Sequence, residues 1–298
     1  MKLLVAQIAP KLGVIEDNWQ RHREIIVTAW REGYDLVVFP ELSLTGYLLR
    51  DLVPDVALTL SQLRARFAEI QPTEKTPPTL EVVLGFVEES PAHRFYTAAA
   101  YLRLQRGKEP LLLHRHRKVY LPTYGMFDEQ RYFSAGRCVR AFDSPLLGRT
   151  GLLICEDLWH PSCVYLLAID GPQFEGIQAL IGLSNSPARG VTDTEHFTTA
   201  NVETWRAINR LNATLYGLFC IHCQRVGVED SYIFSGGSEV VSPSGEVLAR
   251  APLFEEHLLT VEVEADHLVR WNRIRNPGMA AEQVDLVFRE LSRIFSGG

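Results

Sequence analysis

The apolar run Gly151-Leu152-Leu153-Ile154 stops at Cys155, and Glu156 and Asp157 follow at once. A short apolar stretch bounded by polar residues suits a buried strand, and a side chain at the end of such a strand is positioned accurately without being sealed in the core. Read alone, Cys155 is better explained as a small core hydrophobe. A nucleophilic role depends on partners elsewhere in the chain.

Similar runs recur. Residues 3–8 read as a first strand. A helix follows from Asp17, an N-cap candidate with Gln20 three residues on, to about Glu32; Trp19, Arg23, Ile26 and Trp30 share one face, and Gly33 stops it. Residues 35–41 form a buried strand whose end is set by Pro40, so Glu41 sits just past its terminus. The loop Leu42-Ser43-Leu44-Thr45-Gly46-Tyr47 is unusually apolar around a charge, which points to a buried acid rather than the usual surface glutamate. Further strands are expected at 81–87, 95–104, 111–117, 178–183, 214–224 and 257–263, with a hairpin at 240–248. Helices are expected at 56–70, with Thr59 and Gln62 near its start, and at 164–169, 194–211 and 280–295. The stretch 71–78 reads as a loop. No repeat or low-complexity segment interrupts this pattern, which predicts one α/β domain with helices covering sheet faces.

The 298 residues carry a net charge of −6, which argues against a broad nucleic-acid surface. The one dense basic run, His114-Arg115-His116-Arg117-Lys118, reads as a strand and its end. The N-terminal apolar run is cut by Gln7 and Pro10 and lacks the form of a signal peptide, and no run approaches the about 18 apolar residues of a membrane span. Five scattered cysteines, an odd number, favour a reduced compartment, so a cytoplasmic protein is expected. Cys220-Ile221-His222-Cys223 has the spacing of a metal or redox motif, but on a strand residues three apart face opposite sides, and no second ligand pair completes a zinc site. His114 and His116 share one strand face and also lack further ligands. Gly236-Gly237 precedes a strand and reads as a turn rather than a phosphate loop. Neither metal nor organic cofactor is required.

Three strand ends therefore present Glu41, Lys118 and Cys155. A thiol near its usual pKa of about 8.5 is mostly protonated at neutral pH. A carboxylate accepts its proton; an ammonium favours the thiolate and stabilises the oxyanion formed when sulfur attacks a carbonyl, with the Glu156 backbone N–H as a second donor. Glu41 then protonates the leaving amine and activates water against the thioester. A Cys–His alternative through His160 lacks an orienting partner.

Val38-Phe39-Pro40-Glu41-Leu42, Arg117-Lys118-Val119-Tyr120-Leu121-Pro122 and Leu153-Ile154-Cys155-Glu156-Asp157 resemble, in order and context, the three catalytic motifs of the nitrilase superfamily of carbon–nitrogen hydrolases. The resemblance covers about residues 1–265, a carbon–nitrogen hydrolase domain. It leaves 266–298 as a helical tail expected to pack on a partner subunit. It implies a four-layer α-β-β-α sandwich, a homodimer or higher homo-oligomer, and Glu41 as base, Lys118 as oxyanion stabiliser and Cys155 as nucleophile. Glu129, in Phe127-Asp128-Glu129-Gln130-Arg131-Tyr132-Phe133, takes the role of the superfamily's second glutamate, which orients the lysine and substrate.

Within the superfamily, Leu121-Pro122-Thr123-Tyr124-Gly125-Met126-Phe127-Asp128-Glu129 and Cys155-Glu156-Asp157-Leu158-Trp159 look most like the glutaminase domain of glutamine-dependent NAD synthetases. That likeness implies Tyr124, Glu156 and Ser186 as substrate contacts. Arg189 is the candidate for the glutamine carboxylate, although the family's arginine usually falls near the position of Thr192. The 298 residues hold no counterpart of the ATP-using synthetase domain, so a stand-alone chain is expected. The expected activity is hydrolysis of a small amide such as glutamine or another ω-amide. The alternatives are a nitrile or N-carbamoyl amine substrate, an ammonia-supplying subunit for a separate synthetase, or a noncatalytic ligand-binding protein.

Overall fold

Two six-stranded sheets lie face to face, and helices cover the outer face of each. The computed structural model describes residues 1–70, 76–193, 198–264, 270 and 282–296. In chain order the elements are β1 (Lys2–Gln7), α1 (Ile15–Arg31), β2 (Leu36–Val38), α2 (Val53–Val56), α3 (Leu60–Ala68), β3 (Thr79–Glu89), β4 (Phe95–Gln105) and β5 (Leu111–Arg117). There follow α4 (Glu129–Tyr132), β6 (Phe142–Ser144), β7 (Gly148–Ile154), α5 (Pro161–Ile169), β8 (Ala179–Ser184), β9 (Val191–Asp193), β10 (Thr198–Thr199) and α6 (Ala200–Tyr216). The chain closes with β11 (Phe219–Gln224), β12 (Val226–Glu229), β13 (Tyr232–Ser235), β14 (Glu239–Val241), β15 (Val247–Arg250), β16 (His257–Glu262) and α7 (Val284–Phe295).

The first sheet runs β16-β1-β2-β3-β4-β5 and the second β15-β14-β11-β8-β7-β6. Side chains alternate across each strand, so every central strand feeds two cores. Leu3, Val5, Leu36 and Val38 meet Leu152, Ile154, Ile181 and Ile221 between the sheets. Leu4, Val37 and Val82 face Trp19, Ile26 and Phe67 of α1 and α3, while Leu153, Leu180 and Cys220 face Val164, Leu167 and Trp205 of α5 and α6. This is the expected four-layer sandwich. Cys220 and Cys223 fall in different cores, one on each face of β11, as their spacing on a strand requires. Among the described residues no group of three or more metal-ligating side chains forms, and no helix is long and apolar enough to cross a membrane.

Several boundaries differ from expectation. Helix α1 begins at Ile15 with no side-chain cap, and Asp17 pairs with Lys11 at 2.7 Å instead of capping. Arg23 is exposed; the buried face of α1 carries Asn18 and His22. The strand expected to reach Glu41 ends at Val38, and the chain turns through Pro40 to Leu42, whose φ is 45°. The helix expected over 56–70 breaks at Ala57, and Thr59 and Gln62 form a reciprocal capping box at the start of α3. Residues 214–216 belong to α6; Gly217, at φ 65°, ends that helix before β11. Strands β6, β9, β10, β12 and β13 leave no separate apolar run in the sequence. Residues 71–75, the start of the helix expected at 194, and most of the tail from 265 to 281 lie outside the described residues.

Candidate active site

Strands β2, β3 and β5 run in one direction, because β2 and β3 are parallel and β4 reverses between β3 and β5. Strands β7 and β8 are likewise parallel. The C-terminal ends of β2, β5, β7 and β8 lead directly into Glu41, Lys118, Cys155 and Asn185. Carboxyl ends of parallel strands are where α/β proteins commonly assemble sites.

Lys118 is the centre of the polar cluster. Its Nζ donates to Glu41 Oε1 at 2.8 Å and Glu129 Oε1 at 2.7 Å, with all three side chains buried. The backbone N–H of Asn185 donates to the other oxygen of Glu41 at 2.8 Å. Tyr47 Oη donates to Glu129 Oε1 at 2.6 Å. The site thus holds two carboxylates, one ammonium and the half-buried thiol of Cys155.

This balance governs protonation. Burial alone pulls the Lys118 ammonium down, but the Glu129 and Glu41 carboxylates outweigh it, and the group titrates well above an ordinary lysine. Burial pushes Glu129 up to about 7 against the opposing pull of Lys118. Burial, then the charge of Glu41, raises the Cys155 thiol well above its ordinary value, and Lys118 only partly offsets them. The ammonium does favour the thiolate, as expected, but burial and the neighbouring carboxylates outweigh it and hold the thiol toward its neutral form.

The backbone around Cys155 is sharply turned. Cys155 has φ 45°, a left-handed conformation uncommon for a residue with a side chain, and opens a short 3₁₀ turn to Trp159. Asp157, fully buried, holds the turn in place. Its Oδ1 accepts from the N–H groups of Val119 at 3.0 Å and Tyr120 at 2.9 Å, while Oδ2 accepts from His116 Nε2 at 2.7 Å and the Ile154 N–H at 3.2 Å. One carboxylate thereby fastens the Cys155 turn to the segment that follows Lys118.

The Glu41 turn is held from both sides. On β3, Gly85 lets the turn cross closely, since a Cβ there would lie 2.3 Å from the Leu42 nitrogen. From α1, His22 Nδ1 donates to the Asn18 carbonyl and Nε2 accepts from Ser43 Oγ at 2.9 Å; burial holds this ring near a pKa of about 4, hence neutral. Tyr47 is fixed in turn by Glu229, which accepts from the Tyr47 N–H at 2.9 Å and from Arg225 at 2.5 Å.

The residues expected to contact substrate make polar and ring contacts of their own. Tyr124 Oη donates to Glu156 at 3.0 Å, and the Arg189 guanidinium lies 5.4 Å from the Phe127 ring centre. Ser186 is buried and accepts from Asn201 Nδ2 at 2.9 Å. The side chain of Thr192, where the family's arginine is expected, lies outside the described residues. His160 stacks on Tyr120 with ring centres 3.5 Å apart. A cavity of about 400 Å³ opens on the Tyr47, Phe127 and Glu129 side of the cluster. Sequence reasoning missed Tyr47, Asp157 and Asn185 as anchors. Asp157 and Asn185 are visible in the sequence only as polar residues at strand ends, and Tyr47 only as the end of an apolar loop.

The sequence matches the carbon–nitrogen hydrolase family over residues 2–273. It is 33% identical over 275 residues to a glutamine-dependent NAD(+) synthetase of Thermotoga maritima, covering 91% of this chain and 43% of that protein. In structure it resembles the glutamine-dependent NAD+ synthetase of Acinetobacter baumannii, with a TM-score of 0.73 and 30% identity over 89% of this chain and 46% of that one. A carbon-nitrogen hydrolase from Helicobacter pylori G27 shares the fold at a TM-score of 0.80 and 22% identity, covering 98% of each chain. The chain thus spans less than half the length of the synthetases it matches. Its sequence, its two-sheet architecture and its relatives together make it a member of the carbon–nitrogen hydrolase family.

Proposed function

We propose that the protein is a cysteine amidase that releases ammonia from the side-chain amide of glutamine or a close ω-amide. The observation that carries this reading is the buried Glu41–Lys118–Glu129 cluster, with both carboxylates on one ammonium beside a neutral thiol. Glu41 removes the thiol proton as Sγ attacks the amide carbon, and the new oxyanion is met by Lys118 and the backbone N–H of Glu156. Glu41 returns that proton to the departing nitrogen, ammonia leaves, and an acyl thioester remains on Cys155. Water attacks the thioester with Glu41 again as base, the carboxylic acid departs, and the thiol is restored. Glu129 does no proton transfer; it holds the Lys118 ammonium.

Glutamine is favoured over a simple amide by the charges at the mouth. Glu156 suits an α-ammonium and Arg189 an α-carboxylate, and Arg189 is close enough for its charge to act on Tyr124, which hydrogen-bonds Glu156. Tyr124 and Ser186 complete the proposed substrate contacts. The relationship to synthetases named for glutamine supports the same substrate. It also favours a second role, delivery of the ammonia to a separate synthetase.

The test is to incubate the purified protein with glutamine and follow ammonia. Release is expected, with none from Cys155→Ala, and Arg189→Ala should raise KM for glutamine while leaving turnover of a small neutral amide unchanged. Rapid turnover of another amide with none of glutamine overturns the substrate, and activity retained in Cys155→Ala overturns the mechanism. Release that rises only when a synthetase is added supports the delivery role.

A further inference from the structure

We infer that a cavity on the outer edge of the first sheet is a binding site for a small, multiply charged phosphate-bearing anion. The cavity, of about 350 Å³, lies along β5 and the segment that follows α4, and its lining includes Arg115, Arg117, Arg137 and Arg140. That volume falls in the range of small-ligand sites. Arg115 and Arg117 of the basic run noted in the sequence serve this cavity, while His116, through Asp157, and Lys118 turn to the active site.

The charge is unbalanced. Glu88 is buried and pairs with both Arg115, at 2.8 Å, and Arg117, at 2.7 Å. Arg137 and Arg140 are exposed and have no ion-pair partner among the described residues. Asp143 and Asp170, the acids that flank this stretch, both pair with Arg149. Among the described residues no aspartate or glutamate lines the cavity, so four guanidinium groups face one carboxylate within a protein of net charge −6.

Two of the four cations, Arg115 and Arg117, are also held in place by Glu88. Arg117 donates to both oxygens of Glu88 and lies 3.7 Å over the Tyr96 ring. His114, which also lines the cavity, stacks on Phe142 with centres 4.4 Å apart, and its buried Nε2 has no hydrogen-bond partner among the described residues. Guanidinium groups match the oxygens of phosphate in paired hydrogen bonds, Arg137 and Arg140 have no ion pair among the described residues to compete for theirs, and an excess of about three positive charges favours a ligand with two or more negative ones. The same wall reaches the active site by another route, since the Gly136 N–H donates to the Lys118 carbonyl at 2.8 Å.

The test uses the full chain and does not depend on any amidase activity. Titration calorimetry with pyrophosphate at low ionic strength should show saturable one-to-one binding. R137E/R140E should weaken it by at least about tenfold, a loss of about 1.4 kcal/mol, and R137Q/R140Q by less. The control R23E/R31E changes the net charge equally at exposed positions on α1 and should leave binding unchanged. Citrate as a second probe separates phosphate from carboxylate chemistry and should bind more weakly. Absence of saturable binding, equal weakening in the control, or tighter binding of citrate overturns the assignment.

Discussion

The imidazole of His116 and the carboxylate of Asp157 meet at 2.7 Å inside the protein, on either side of the gap between β5 and the Cys155 turn. Asp157 also accepts from three backbone N–H groups, so the placement of Cys155 relative to Lys118 depends on a residue with no role in bond making.

Replacing Asp157 with Ala leaves those three N–H groups and His116 without their acceptor. An unsatisfied buried donor costs about 1–3 kcal/mol, and water entering the space recovers part of it. Urea unfolding should show a loss of about 3 kcal/mol or more, and steady-state kinetics should show kcat falling further than KM rises. Asp157→Asn keeps one acceptor oxygen and should lose less of both. Unchanged stability in the alanine variant would remove Asp157 from its anchoring role.

Glu129 is pushed up to about 7 chiefly by burial, and the Tyr47 hydroxyl is one of the groups that restrain it. Tyr47→Phe removes that donor, so the carboxyl should hold its proton to still higher pH. If ionised Glu129 is needed to hold Lys118, the acid limb of kcat/KM should lie near pH 7 and move upward in Tyr47→Phe. The stability contribution has the opposite sense to that of an ordinary salt-bridged acid. Between about pH 4.5 and 7 the folded protein keeps a proton that the unfolded chain has lost, so this site's stabilisation falls as pH rises. Urea midpoints across that range should fall less steeply in Glu129→Gln than in the native protein.

A neutral resting thiol reacts slowly with alkylating agents. Cys138 is exposed and Cys155 is half-buried with its thiol raised well above the ordinary range, so brief iodoacetamide treatment followed by mass spectrometry should label Cys138 first. Glu41→Gln removes a charge that raises the thiol, and Cys155 should then gain on Cys138. Faster labelling of Cys155 in the native protein would contradict the neutral resting state.

Gly85 underlies the turn that carries Glu41. An alanine Cβ there would meet the Leu42 nitrogen at 2.3 Å and the Pro40 oxygen at 2.6 Å, both backbone atoms that cannot swing aside. Gly85→Ala should displace Glu41, lower kcat by about a hundredfold or more, in the range attributed to loss of a general acid–base, and lower the unfolding midpoint. Retention of full activity would show that the turn can move without cost to the site.

The residues that end buried strands are legible in the sequence itself, because a hydrophobic run that stops abruptly at a charged or reactive side chain leaves a local mark. Glu41 and Cys155 each follow such a run, Lys118 instead closes a basic run at a strand end, and the layered α/β architecture follows from the apolar runs and the helical faces between them. Their mutual contacts are expected only through the order of three motifs. Tyr47 reaches Glu129 across 82 residues of chain and Asn185 reaches Glu41 across 144, distances over which periodicity carries no information. Strand order and the facing of the two sheets decide those pairings. The same assembly decides the protonation of Cys155: the sequence offers a carboxylate to take its proton and an ammonium to favour the thiolate, but burial and then the charge of Glu41 raise the thiol more than Lys118 lowers it, because a negative charge is poorly solvated in the low-dielectric interior.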